Sequence, residues 1–431
     1  AGLLDFPPVP ETLPPKLRTP VPGPRSRALA GRRGRVESRN VTALEPEPPI
    51  FWERAVGANV WDVDGNCYVD LGAGFGVANV GHAHPRVVEA IGVQSGTLLH
   101  AMGDVHPSAG KVALLEALTA RFPGGEPARG VLGSSGSDAV EIALKTALLA
   151  TGRSGVVSFE GGYHGVTLGA LDVTWRRDFR EPFADRVPGR TSFARFGDAA
   201  DLGRAAGRCP APVGAVIVEP VQGRGGERVP PPGFLRSVRE RCDAEGWLLI
   251  VDEVYTGGGR TGRFFACEHE SVVPDLLCVG KAVAGGMPLS ACLGRARWMD
   301  AWPPSTGEAL HTQTFLGHPA SCAAALAALE VIEEEKLAQR AAELGDVALA
   351  CLRDALGERR SVREVRGLGL MIGIECERPE TALAACHAAL ARGVIVIPSG
   401  DDGRVISVTP PLVIERDALV AALGLLADAI P

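Results

Sequence analysis

Three short, almost wholly apolar runs in the middle of the chain limit what it can fold into: Gly155-Val156-Val157-Ser158-Phe159, Ala215-Val216-Ile217-Val218 and Leu248-Leu249-Ile250-Val251. None alternates polar with apolar residues, as a half-exposed strand does, so each reads as a strand buried on both faces of a sheet. Between the last two lies Gly233 to Glu245, a charged amphipathic stretch with helical character. Strand, helix, strand in this rhythm predicts an α/β fold around a mostly parallel sheet covered on both sides.

The flanks differ. At 431 residues the chain is too long for one small core and suits two domains. From about Ala323 the tail carries long Ala/Leu/Glu helices and the strand-like runs Gly369 to Glu375 and Val394 to Ile397, a smaller α+β domain completed by residues near the N-terminus. The expected division is residues 1–70 as an N-terminal arm and part of the small domain, 71–322 as the large domain, and 323–431 as the C-terminal small domain. Pro7, Pro8, Pro10, Pro14, Pro15, Pro20, Pro22 and Pro24 predict that the first forty or so residues form an extended arm without regular helix. Asp62-Val63-Asp64-Gly65-Asn66 reads as a hairpin turn between Val60-Trp61 and Tyr68-Val69-Asp70-Leu71.

Charge and composition remove several function classes. Lys plus Arg number 44 against 51 Asp plus Glu, and no basic stripe with interleaved aromatics occurs, so no nucleic-acid partner is expected. No apolar run approaches the roughly 20 residues that span a bilayer, so no membrane partner is expected. Ala1 to Arg39 lacks an apolar signal core. The ten cysteines include no CxxC pair, and several sit inside apolar stretches, which reads as buried reduced thiols and a cytoplasmic protein.

Four features carry chemistry, each where a strand ends or a helix begins, the edge at which open α/β sheets bind ligands. Gly133-Ser134-Ser135-Gly136-Ser137-Asp138 leads into a helix over Ala139 to Ala150. Small residues there let backbone N–H groups and the helix dipole hold a phosphate. Ser135 with Asp138 also spells an ordinary capping box. Asp252 ends a buried strand, where a carboxylate needs a partner: a protonated pyridine nitrogen, an arginine or a helix end. Lys281 follows the apolar run Leu276 to Val279 and precedes Gly285-Gly286. Burial lowers an amine's pKa and gives the neutral nucleophile that a Schiff base requires, although a snorkelling lysine has the same spelling. Tyr163-His164-Gly165 follows the strand ending at Phe159, and its aromatic ring serves either to stack on a planar cofactor or to pack in the core.

Two other signals are set aside. Gly257 to Gly262 matches GxGxxG, but no helical pattern follows and the acidic partner is missing, so it reads as a loop. His82 and His84 lack a third ligand at suitable spacing, so they read as structural and no metal is expected.

Together these residues resemble the class III (ornithine and 4-aminobutyrate type) aminotransferases of PLP fold type I, from about Pro22 to Leu412. The match is carried by Asp62-Val63-Asp64-Gly65-Asn66, Gly81-His82, Ser135-Gly136-Ser137-Asp138-Ala139, Glu219-Pro220-Val221-Gln222-Gly223, Asp252-Glu253-Val254, Gly259-Arg260-Thr261-Gly262, Lys281 with Gly285-Gly286, and Thr314-Phe315 before Pro319. The resemblance implies a large domain on a mostly parallel seven-stranded-type sheet, pyridoxal 5′-phosphate (PLP) as cofactor, and a homodimer with shared active sites. It implies that Lys281 holds the cofactor as a Schiff base and shuttles a proton. Asp252 would bind the pyridine nitrogen, Val254 would lie against the ring, and Tyr163 would stack on it beside His164. Ser135, Gly136 and Ser137 would hold the phosphate, Thr314 would reach the phosphate of the neighbouring subunit, and Glu219 would line the cofactor's phenolic edge.

The departures concern the substrate. The family's Gln after Asp-Glu-Val is Tyr255 here, a phenol still able to hydrogen-bond the cofactor's O3′. The Arg that often follows aromatic-His-Gly is Val166, and the Arg three residues before Pro410-Pro411 is Ser407. The Gln-Gly-Glu-Gly-Gly segment reads Gln222-Gly223-Arg224-Gly225-Gly226. In the family that Glu and the C-terminal Arg can pair as a gate over a dicarboxylate. Here Arg224 is a candidate carboxylate clamp from the opposite wall; the alternative is that it points to solvent and the pocket takes amines without a second carboxylate. The expected activity is transfer of an amino group from an amine or amino acid to a keto acid. An amino-acid racemase or epimerase, or a catalytically silent PLP-binding protein, stays open on the same scaffold.

Overall fold

The computed structural model describes residues 10–42 and 48–431. Three sheets organise it. The hairpin read around Asp62–Asn66 forms as expected, with β1 (Trp52–Val56), β2 (Asn59–Asp62) and β3 (Cys67–Asp70) in an antiparallel meander. Asp62 closes its turn by accepting from the backbone of Asp64 and of Asn66, both at 2.9 Å. The short strand β13 (Val394–Ile395) then adds to β3 in parallel.

The central sheet has seven strands: β4 (Ala128–Gly133), β5 (Gly155–Phe159), β6 (Thr191–Ala194), β7 (Val213–Val218), β8 (Leu248–Asp252), β9 (Leu276–Val279) and β10 (Ser290–Arg295). Their spatial order is β4-β10-β9-β8-β7-β5-β6, and β10 alone runs against its neighbours. Alternate residues of each strand feed two separate cores. Val216, Val218, Leu249, Val251, Leu277 and Val279 pack with Leu114 and Leu118 on one face. Ala215, Ile217, Leu248, Ile250, Leu276 and Cys278 pack with Ala139, Val140, Ala143 and Ala147 of the helix Gly136–Thr151 on the other. Two apolar faces explain why these strands read as unbroken apolar runs. Each fully buried Leu, Ile or Val contributes roughly 1.5–3 kcal/mol of burial.

The third sheet has the order β11-β12-β15-β14, from β11 (Val362–Leu368), β12 (Met371–Cys376), β14 (Ile397–Ser399) and β15 (Val405–Val408). The helices Leu337–Leu356 and Pro379–Leu390 bury their apolar faces against it, and Arg416–Ala427 packs on those helices and on β13. Among the described residues no helix is long and apolar enough to cross a membrane. Eight of the ten cysteines are buried.

One expectation needs correction. The arm is not free of helix, because Pro24–Arg33 is helical with Pro24 in the first turn. Proline is tolerated there, since its missing N–H is one the helix would leave unpaired. The next nine residues contain no proline. Gly23 cannot cap this helix, and Asp64 does so from the hairpin, accepting from Arg25 N at 2.7 Å and from Ser26 N at 2.9 Å. Pro7 and Pro8 lie outside the described residues.

The loop after β8 carries Arg260, the largest fully buried side chain. Its Nη1 donates to the carbonyls of Leu370, at 3.0 Å, and Pro410, and its Nη2 donates to Asn79 Oδ1. Burial pulls its pKa down to about 10, and among the described residues no carboxylate pairs with it. Arg260→Met strands three buried acceptors and is expected to cost about 2–4 kcal/mol in chemical denaturation. Arg260→Lys should recover only part, because one ammonium cannot reproduce the planar fork.

Candidate active site

Strands β4, β5, β7, β8 and β9 run the same way, so Gly133, Phe159, Val218, Asp252 and Val279 end on one edge of the sheet. The four features singled out from sequence therefore meet there, on loops that leave neighbouring strands.

Asp252 is buried at the end of β8. Its Oδ2 lies 2.8 Å from Nδ1 of buried His164, and its Oδ1 accepts from Val254 N at 3.0 Å. A carboxylate offers about four lone-pair positions, so Asp252 keeps capacity for a further cationic donor. His164 thus acts on the site through Asp252. The adjacent Glu253 turns away: it accepts from Ala266 N and Cys267 N and caps the turn Ala266–Glu270. Burial pushes Glu253 up to about 7.

Lys281 follows Gly280 after β9 and opens the short helical turn Lys281–Ala284 with φ of 44°. A side-chain-bearing residue in the left-handed region is strained, and such strain concentrates at functional positions. Burial pushes its ammonium below the usual lysine range, against the opposing pull of Asp252 and Glu219. Its Nζ lies 4.4 Å from the centre of the Tyr255 ring. That ring slots between Gly76 and Gly223, where a Cβ on either residue would come within 2.2 Å of it. The Tyr255 hydroxyl is 3.1 Å from Thr409 Oγ1, so it is the ring that faces the lysine.

Ser135 caps the helix Gly136–Thr151, accepting from Asp138 N at 3.3 Å. Asp138 does not close a reciprocal box; its Oδ2 accepts from Ser134 N at 2.9 Å. Asp138 N and Ala139 N both return to the Ser135 carbonyl, leaving the Gly136 and Ser137 amides at the open, positive end of the helix. Ser290 of β10 holds the turn from below, donating to the Ser135 carbonyl at 2.6 Å. Ser137 Oγ accepts from Val166 N at 3.3 Å. This close approach requires Gly165, whose φ is 114° and whose Cβ would sit 2.0 Å from that oxygen. The Val254 methyls fill the gap toward Gly136, where a Cβ would meet them at 2.8 Å.

The third wall joins Tyr163, Glu219 and Arg224. Glu219 Oε1 accepts from Tyr163 N at 2.8 Å and Oε2 from Gly223 N at 2.9 Å. Burial pushes Glu219 up to about 7. The Arg224 guanidinium stands 5.6 Å from the Tyr163 ring centre and forms no ion pair among the described residues. It is close enough to oppose protonation of Lys281. Ser407 is buried, beside Tyr255 and Glu227. Thr314 is exposed and apart from these groups, on a loop tied down by His311 Nε2, 3.1 Å from Asp138 Oδ1. The histidines set aside are structural: His82 Nε2 lies 2.8 Å from Asp70 Oδ2, and His84 caps the helix Pro85–Thr97. Among the described residues no cluster could hold a metal ion.

Sequence reasoning passed over Ser290, Glu227 and Arg366. Glu227 is buried three residues after Arg224, and burial pushes it up to about 8. An acid inside a glycine-rich loop was the available signal.

These residues fit PLP. The open helix end suits a phosphate, Asp252 has capacity for a protonated ring nitrogen, and a desolvated amine lies within electrostatic reach of Asp252.

Comparison with known proteins agrees. The model of the aminotransferase class-III family matches residues 41–430. The acetylornithine aminotransferase of Methanopyrus kandleri is 44% identical over 384 residues, covering 89% of this chain and 94% of that protein. A 4-aminobutyrate aminotransferase of Mycobacterium tuberculosis is 38% identical over 442 residues, covering 95% and 96%. The ornithine aminotransferase of Toxoplasma gondii, solved with partial occupancy of PLP at its active site, superposes with a TM-score of 0.85 at 32% identity, covering 94% of each chain. Among the activities left open by the sequence, these matches decide for transamination. The chain belongs to the class-III aminotransferases, and pyridoxal 5′-phosphate is its cofactor.

Proposed function

We propose that this aminotransferase acts on amines and keto acids that carry a carboxylate recognised by Arg224. The observation that carries this reading is a half-buried guanidinium without an ion pair, beside Tyr163 and within electrostatic reach of Lys281. A desolvated arginine offers two parallel N–H donors that match a carboxylate. The relatives named for acetylornithine and 4-aminobutyrate use amines that carry a carboxylate, which supports the same class here.

In this proposal Lys281 Nζ is the attachment point, and its lowered pKa favours the neutral form needed to attack a carbonyl carbon and to carry a proton. Asp252, oriented by His164, holds the ring nitrogen in its protonated form. Gly136 and Ser137 amides, with Ser135, take the phosphate, while Tyr163, Val254 and Tyr255 shape the ring's slot and Glu219 lines its edge. When bound, the cofactor supplies an electron sink for negative charge at the carbon bearing the amine.

The division of the chain into 1–70, 71–322 and 323–431 is part of this proposal. So is a homodimer in which Thr314 reaches the partner's phosphate. Leu98, Leu99, Met102, Val105 and Phe315 are exposed apolar residues, a surface that favours burial between two copies. Buried cysteines without a CxxC pair favour a reducing compartment, the cytoplasm.

Borohydride reduction of the holoenzyme followed by peptide mass spectrometry should find the pyridoxyl group on Lys281, and its recovery on another lysine would refute the assignment. Arg224→Ala should raise KM for keto-acid acceptors about 10- to 100-fold. An unchanged KM for every keto acid would sink the clamp. Glu219, at about 7, holds a proton in the folded state between pH 4.5 and 7 that the unfolded chain has released. Its contribution to stability therefore falls as pH rises through that window. Glu219→Gln should flatten the decline seen in denaturation curves recorded from pH 5 to 8.

A further inference from the structure

We infer that Arg366 is a positioning residue for carboxylate recognition, fixing the Gly223–Glu227 loop from the third sheet and thereby aiming the Arg224 guanidinium. The inference rests on the reading of Arg224 as the carboxylate clamp.

The loop leaves β7 in the central sheet, and Gln222 and Arg228 close its neck with two backbone hydrogen bonds of 3.0 Å. Beyond that neck its carbonyls are held by the other sheet. Ser399 Oγ donates to the Gly223 carbonyl at 3.1 Å, and Gly400 N donates to the Arg224 carbonyl at 3.0 Å. Arg366 donates twice to the Gly226 carbonyl, from Nε at 3.1 Å and Nη2 at 2.6 Å. The clamp residue is thus held at its own carbonyl and on both sides, by β11, β14 and the residue that follows β14.

The fork of Arg366 divides its labour. Nη1 meets Glu364 at 2.7 Å and Glu375 at 2.6 Å, which settles the charge within β11 and β12. Nε and Nη2 are left for the loop, and a lysine has no second pair of donors to offer. Arg366 holds the loop at the Gly226 carbonyl, and its charge also acts on the buried Glu227 carboxyl, so its effect on substrate passes through the loop.

The loop needs such holding. Gly226 and Glu227 have φ of 106° and 46°. Glu227 is buried beside Ser407, Ser399 and the charge of Arg366. A left-handed residue carrying a buried acid persists only where its surroundings over-determine it. On the inner side, Gly223 N donates to Glu219, which also receives Tyr163 N, so the latch reaches the aromatic wall beside Arg224.

The test compares Arg366→Met, Arg366→Lys, Ser399→Ala and Arg224→Ala holoenzymes. It reads KM for a keto-acid acceptor, kcat, and the cofactor's Kd by fluorescence titration. Arg366→Met should raise KM about 10-fold while kcat and cofactor Kd stay within about 2-fold. Arg366→Lys should give an intermediate rise, and Ser399→Ala, which removes one neutral hydrogen bond and keeps the arginine, a smaller rise of the same pattern. The double variant Arg224→Ala/Arg366→Met should show no further rise over Arg224→Ala alone. An unchanged KM in both Arg366→Lys and Ser399→Ala, while Arg224→Ala raises it, overturns the positioning role and leaves the clamp standing. Equal losses in KM, kcat and cofactor affinity mark general loosening and also overturn it. If Arg224→Ala itself leaves KM unchanged, the clamp reading has failed, which is a different result.

Discussion

The joining of the central sheet to the third sheet depends on one buried cation. Arg260 sits at the end of the glycine loop after β8 and donates to carbonyls at Leu370 and Pro410 and to the side chain of Asn79. Those acceptors belong to the third sheet, to the segment after β15 and to the turn before the helix Pro85–Thr97. An arginine can be buried without a carboxylate when dipoles replace its hydration, and the fixed fork geometry then dictates where each dipole must be. Asn79 returns a hydrogen bond to the Gly258 carbonyl at 2.9 Å, so the loop and its partners close a ring of constraints. The edge of the central sheet and the third sheet are thereby brought together within reach of one set of side chains.

Within that frame the site separates charge by direction. Asp252 and Glu253 are consecutive, yet one faces the lysine and the other caps a turn on the far side of β8. His164 spends its Nδ1 on Asp252, which fixes the carboxylate's orientation. Glu219 is held by two backbone amides rather than by a cation. Arg224 is consequently left without an ion pair among the described residues, and the lysine feels the acids Asp252 and Glu219 against this guanidinium.

Much of this was legible in the residues. The runs at 155–159, 215–218 and 248–251 announced a doubly covered sheet because both of their faces are apolar, and they form that sheet. Lys281, Asp252 and the Ser135–Ser137 turn stood out because strand ends make polar residues conspicuous. The helix Pro24–Arg33 was not legible, since a dense run of prolines was read as excluding helix when the last of them opens one. The hold of Arg366 on Gly226 was not legible either. Its acceptor is a backbone carbonyl 140 positions away, and a carbonyl is the same atom in every residue.

The Asp64 cap has a consequence for the order of events during synthesis. The helix Pro24–Arg33 emerges well before the hairpin that supplies its start signal. Gly23 offers no side chain of its own, and a ten-residue segment is too short to hold helical structure unaided. This helix is therefore a follower: it waits for some forty later residues to fold before its first turn is satisfied. A cut or insertion at the hairpin tip would be felt upstream of the lesion, in a segment the change never touched.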